Sequence, residues 1–201
     1  MAEKKIVDTA VKMNVKNFHL AKCTVKDDII TYDKPEHIIG LEEITKTPSI
    51  SSGELYGDGA LRIKINKKTA YQLNINMNAI PTEWKRYMEG TKISETGVEY
   101  ATSSDEAELF ACGWEVEKTK GKKQMIWFLC CTAEPITDNA KQTEGNVSFS
   151  KDTLTITAVE HISHGRFYTM IDSENEKVTE EMLTDFFTKV QTGDSVEKAS
   201  E

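Results

Sequence analysis

The chain has 201 residues and a mass of 22.6 kDa, enough for one domain with a real core and too little for two large ones. A formal charge of -8 argues against a surface that grips nucleic acid, because affinity for phosphate needs clustered Lys and Arg. An apolar content of 38% and a mean hydropathy of -0.48 are polar for a compact monomer, which predicts long exposed arms and loops.

In chain order, residues 1–13 read as an N-terminal arm, 14–172 as a β domain, and 173–201 as a C-terminal helix with an acidic tail. The two ends differ in sign. Residues 1–26 carry six Lys against Glu3 and Asp8, a local +4, and residues 172–201 carry nine acids against Lys177, Lys189 and Lys198, a local -6. Charged termini are usually solvated tails. Opposite signs also permit one subunit's basic end to meet another's acidic end.

Strand patterns begin after Val15. Phe18 to Cys23 and Ile29 to Tyr32 flank the polar Lys26-Asp27-Asp28, which suits a hairpin, and a further strand is expected over residues 37–44. Residues 47–59 gather Pro48, Ser49, Ser51, Ser52, Gly53, Gly57 and Gly59 around Glu54, Tyr56 and Asp58. By composition this is a loop, too long to be a turn, and it is the candidate for a segment that orders on assembly. Its site residues are Ser49, Ser51, Gly53, Glu54, Tyr56, Gly57, Asp58 and Gly59; Gly57-Asp58-Gly59 is a turn signal.

Two alternating strands follow. Leu61, Ile63 and Ile65 alternate with Arg62, Lys64 and Asn66, and then Tyr71, Leu73, Ile75, Met77 and Ala79 alternate with Gln72, Asn74, Asn76 and Asn78. Each predicts one dry face. The second sets uncharged Gln and Asn opposite its core face, as suits a polar neighbour or a channel. Residues 82–90 predict a short helix that Thr82 caps and Gly90 ends, with Trp84, Tyr87 and Met88 docked on a sheet.

In residues 107–118, Phe110, Cys112, Trp114 and Val116 point one way and Glu115 and Glu117 the other, before a turn at Lys120-Gly121-Lys122. Met125 to Cys131 is aromatic, β-branched and uncharged, which predicts a buried strand. A polar connection at residues 138–146 leads to Thr153 to Val159, where Thr alternates with aliphatic residues. A last strand is expected over Phe167 to Ile171. Thr179 can cap a helix with an apolar stripe of Met182, Leu183, Phe186, Phe187 and Val190.

Chemical signatures are absent. No P-loop, G-x-S-x-G, G-x-G-x-x-G or H-E-x-x-H occurs, so the chain is not expected to be an enzyme or to hold a cofactor. His161 and His164 would lie on opposite faces of an extended stretch, which leaves no expectation of a metal site. Cys23, Cys112, Cys130 and Cys131 lack C-x2-C spacing and read as reduced core thiols, with Cys130 and Cys131 on opposite faces. No apolar run reaches the ~20 residues that span a bilayer, and no signal-peptide segment opens the sequence, so a soluble cytoplasmic product is expected.

From Asn14 to Asp172 the order and texture resemble the major tail proteins that build the tail tube of long-tailed bacteriophages. The resemblance runs through "VKNFHLAKCT", "ITYDKPEHIIGLEEI", "YGDGALRIKIN", "TAYQLNINMNAIP" entering the helix "TEWKRYMEG", "EYATSSDEAELFACGWEVE" and the closing "QMIWFLCCTAEPITDNAKQTEGNVSFSKDTLTITAVEH". The segment "EEMLTDFFTKV" is similar too. It implies a β-sandwich or half-barrel with a helix packed beside it. It also implies self-assembly into stacked hexameric rings, with tape measure and terminator proteins as partners, in a virion tail assembled in the host cytoplasm. DNA would pass down a lumen that tends to be acidic, without sequence-specific binding. The rival readings are a β-sandwich binding or adhesion module, which would expose aromatics in a groove, and an enzyme on an all-β scaffold. Trp84, Trp114 and Trp127 all fall on apolar faces, which counts against the module.

Overall fold

Among residues 9–137, 150–193 and 196, which the computed structural model describes, the chain forms eleven strands and two α-helices. The strands are β1 Lys12–Lys26, β2 Ile29–Tyr32, β3 Glu36–Ile38, β4 Leu41–Gly57, β5 Ala60–Met77, β6 Lys92–Ile93, β7 Glu99–Tyr100, β8 Phe110–Lys118, β9 Lys123–Ala133, β10 Asp152–Val159 and β11 Tyr168–Asp172. Helix α1 is Thr82–Glu89 and α2 is Glu180–Asp185. Nine strands make one antiparallel sheet in the order β2-β1-β8-β9-β10-β5-β4, with β3 on β1 and β11 on β9, while β6 and β7 pair apart from it. The fold is mainly β, as expected. The polar connection at residues 138–146, the first eight residues of the N-terminal arm, and Asp194, Glu197 and Glu201 of the acidic tail lie outside the described residues.

The uncharged run at Met125 to Cys131 takes the middle of the sheet because both its faces can be buried. β8 pairs along one side of β9; on the other, β11 pairs with residues 124–128 and β10 with residues 130–133. Ile126, Phe128 and Cys131 enter a core with Leu73, Ile75, Met77, Leu154, Ile156, Trp84 and Met88. Met125, Trp127, Leu129 and Cys130 form a second core under Leu183, Phe186 and Val190 of the C-terminal segment. β9 spends three residues where β8 spends two, between the pairs Phe110↔Cys131 and Cys112↔Phe128. That bulge resets the alternation: Leu129 and Cys130 face the same core, and Cys131 returns to the core of Ile126 and Phe128. Each fully buried large apolar side chain contributes roughly 1.5–3 kcal/mol.

The helices follow their end signals in part. Gly90 closes α1 in the left-handed conformation, φ 71°, but Thr82 sits inside the first turn and makes no cap bond; Pro81 holds the cap position. A proline there fixes the extended entry without needing its missing N–H. Thr179 does cap α2, accepting from the Met182 amide at 3.3 Å.

Three expectations are corrected. Residues 37–44 are two strands, because Gly40 at φ 110° turns the chain between β3 and β4. Residues 47–59 are strand and hairpin tip, not loop: β4 runs through them in register with β5. Leu61, Ile63 and Ile65 have no dry face within the chain, being 48%, 50% and 64% exposed, whereas Tyr71, Leu73, Ile75 and Met77 further along the same strand are buried.

Candidate functional site

The longest elements project from the body. β4 and β5 pair from Leu41↔Met77 to Gly57↔Ala60, and every residue from Thr45 to Thr69 except Gly57 is exposed. Asp58 and Gly59 close the tip with φ 53° and 75°, as a two-residue primed turn requires, so the Gly57-Asp58-Gly59 signal marked a hairpin. The Arg62 guanidinium braces it, donating to the Asp58 carboxylate at 2.6 Å and to the Gly57 carbonyl at 3.2 Å.

Strand period makes this arm amphipathic. Leu55 stands opposite Ile63 and Gly53 opposite Ile65, so Leu55, Ile63 and Ile65 share one face, while a bulge near the tip puts Leu61 opposite Tyr56. Glu54 and Lys64 pair on the other at 2.7 Å, and Tyr56 donates to Glu54 at 2.9 Å. These bonds, that from Lys64 foremost, hold the Glu54 carboxyl below its ordinary range. At the root, the Lys46 ammonium lies over the Tyr168 ring at 4.7 Å, a cation–π contact that ties arm to body. Of the candidate residues, Glu54, Tyr56, Gly57 and Asp58 thus interact at or near the tip, while Ser49, Ser51 and Gly53 lie along the β4 strand.

Among the described residues β4 forms a ladder with β5 alone, so its outer edge has no partner strand there. Beside that edge the exposed sheet face carries a grid of polar side chains, uncharged except for Glu43 at the end of one row. Thr47, Gln72, Thr157 and Thr132 are aligned across four strands, Thr45, Asn74 and Thr155 across three, and Glu43, Asn76 and Thr153 likewise. Thr153 donates to Asn76 at 3.1 Å, Thr155 to Asn74 at 3.3 Å and Asn76 to Glu43 at 3.2 Å. The alternation of β5 and β10 forecast their polar faces; that β4 and β9 continue them required the register.

Buried polar groups were the least legible. Glu115 does face away from Trp114 and Val116, yet it is 2% exposed. One of its oxygens accepts from Asn17 at 2.6 Å, and the Lys16 and Lys123 ammoniums stand 3.7 and 4.0 Å from the other. Asn17, at φ 52° in a bulge of β1, is aimed at it by that irregularity. Burial opposes the charge on Lys118, but hydrogen bonds to Asp172 and to Glu174 (2.6 Å) raise its pKa above the ordinary range. Glu174 also accepts from the Ala10 amide at 3.0 Å, which joins the N-terminal arm to the C-terminal segment within one chain.

The histidines form two pairs. His19 is stacked between His37 at 4.9 Å and Phe187 at 4.5 Å. His161 and His164, expected on opposite faces, instead meet at 4.6 Å, because residues 161–165 turn rather than extend. Burial lowers the pKa of both His19 and His161, with the neighbouring imidazole adding to it. All four thiols are free and buried, and burial pushes Cys130 up to about 11. Among the described residues no three His, Cys, Asp or Glu side chains cluster within reach of one metal ion, and no helix is long and apolar enough to cross a membrane.

No protein-family model matches the chain, and no curated protein matches it in sequence.

Proposed function

We propose that this chain is a structural subunit that polymerises, as stacked hexameric rings, into a tube of the phage-tail type through which DNA is ejected. The observation that carries this reading is the β4–β5 arm: a hairpin with one apolar face uncovered and one long strand edge unpaired. An isolated two-stranded hairpin is marginal in water, and an exposed edge is a template for another chain, so both features gain stability when a second copy covers them. The tail-tube resemblance supplies the form of the polymer, a β-sandwich or half-barrel repeated round a ring. Tape measure and terminator proteins would be its neighbours in the virion tail, after synthesis in the host cytoplasm. The burial of Trp84, Trp114 and Trp127 favours this over a binding module with an aromatic groove. The net charge of -8 per copy disfavours retention of nucleic acid in a bore.

Negative-stain electron microscopy of the purified protein across a concentration series tests the proposal. Hollow tubes with a constant axial repeat are expected. A subunit that stays monomeric at every concentration, with and without other tail proteins, would overturn it.

A further inference from the structure

The arm accounts for contacts between copies but not for the polar grid beside it. The surrounding surface is rich in charge: the neighbouring arm alone carries Lys46, Arg62, Lys64, Lys67 and Lys68. Across Thr45, Thr47, Gln72, Asn74, Asn76, Thr132, Thr153, Thr155 and Thr157 no ionisable side chain occurs; the charges at the margin are Glu43, which accepts from Asn76 at 3.2 Å, Glu134, and Lys151, which is paired to Glu42 at 2.6 Å. Thr153 and Thr155 donate to the amide oxygens of Asn76 and Asn74 across strands, which occupies those groups within the sheet face.

We infer that this grid is the wall that a passing polyanionic duplex meets, and that its neutrality, not a ring of acids, is what keeps the duplex moving. The inference rests on the tube reading and goes beyond it by naming the face and its chemistry. Two features single the face out. A wall that must not retain phosphate has to lack cations, and this one does. The grid also ends at the unpaired edge of β4, so pairing of that edge with another copy would carry the same polar face onward round a ring. A face buried between copies would instead be expected to offer an apolar centre.

The test places a thiol on the grid by Asn74→Cys, with Thr155→Cys as a second position should the first fail to fold. The four native thiols are buried and make a quiet background. Free subunits and assembled tubes are treated with N-ethylmaleimide and with a polyethylene-glycol maleimide too bulky to enter a bore, and adducts are counted by mass. A lumenal face predicts that assembly slows the bulky reagent by about tenfold or more and leaves the small one nearly unchanged, since thiol reactivity follows access. Equal reaction of the bulky reagent before and after assembly puts the face outside and overturns the inference. Loss of reaction with both reagents puts it between copies and overturns it too. If the unsubstituted protein forms no tubes, the tube reading itself is lost and the inference goes with it; a wrong labelling pattern on intact tubes sinks the inference alone.

Discussion

Gly113 and Trp127 stand opposite each other across the β8–β9 ladder, so close that a methyl group on Gly113 would lie 2.7 Å from the indole ring. The indole is fully buried and donates to the Phe186 carbonyl at 3.0 Å, so the glycine makes room for the side chain that fastens the C-terminal segment to the sheet. Gly113→Ala is expected to cost about 1–3 kcal/mol, the range for overpacking a core. Trp127→Ala should cost about 3–5 kcal/mol, as an aromatic cavity does. Chemical denaturation of both single variants and the double variant checks the relationship: the double should cost clearly less than the sum, because the alanine methyl then loses its clash with the indole and keeps only that with the Ile126 carbonyl oxygen at 2.8 Å.

The arm should be dispensable for folding. Replacing residues 50–69 with Asn-Gly joins the paired residues Ser49 and Ala70 by a two-residue turn and removes only exposed side chains. Stability should stay within about 0.5 kcal/mol of the parent, as for surface changes, while polymer disappears from sedimentation and electron microscopy. Ile63→Asp with Ile65→Asp, which keeps the arm and charges its apolar face, should give the same result. Normal tubes from either variant would remove the arm from the assembly mechanism.

Lys118→Met tests the junction of chain ends. The ammonium is buried between Asp172 and Glu174, and its loss leaves two partly buried carboxylates facing each other. The expected cost is about 1–3 kcal/mol, less than for a fully buried pair because both acids reach solvent. An unchanged urea midpoint at neutral pH would show the junction to be ornamental.

Acid should weaken the subunit in two stages whose sign follows from the shifts. His19 and His161 have lowered pKa values in the fold, so the unfolded chain takes up protons first and stability falls as pH drops below about 6.5. Asp172 is lowered as well: burial opposes its charge, but the Lys118 hydrogen bond and further donors outweigh burial. Its contribution is present above about pH 4 and is lost below it. His19→Phe keeps a ring between His37 and Phe187 and should shrink the first stage to the share of His161 while leaving the second. Urea titrations at a series of pH values measure both.

Much of the body was legible because its side-chain periods are local facts. Tyr71 to Met77 and Thr153 to Val159 declare their faces without help from the rest of the chain, Met125 to Cys131 declares its burial, and Trp84, Met88 and Gly90 declare a docked helix with its stop. The arm was illegible for a complementary reason. Ser and Gly in residues 47–59 suggest a loop when taken alone, and only pairing with residues 60–72 makes them a strand.

The sequence by itself determined which residues are apolar, at what period, and how charge is divided along the chain, and those facts settled a mainly β subunit with a central aromatic strand. Tertiary structure alone decided that Leu61, Ile63 and Ile65 stay wet, that Glu115 is buried, that His161 meets His164, and that Thr and Asn from four strands share one neutral face. Alternation fixes two sides of a strand but not what covers either. That depends on register and on which strands are neighbours, and both are set by contacts between residues far apart in the chain.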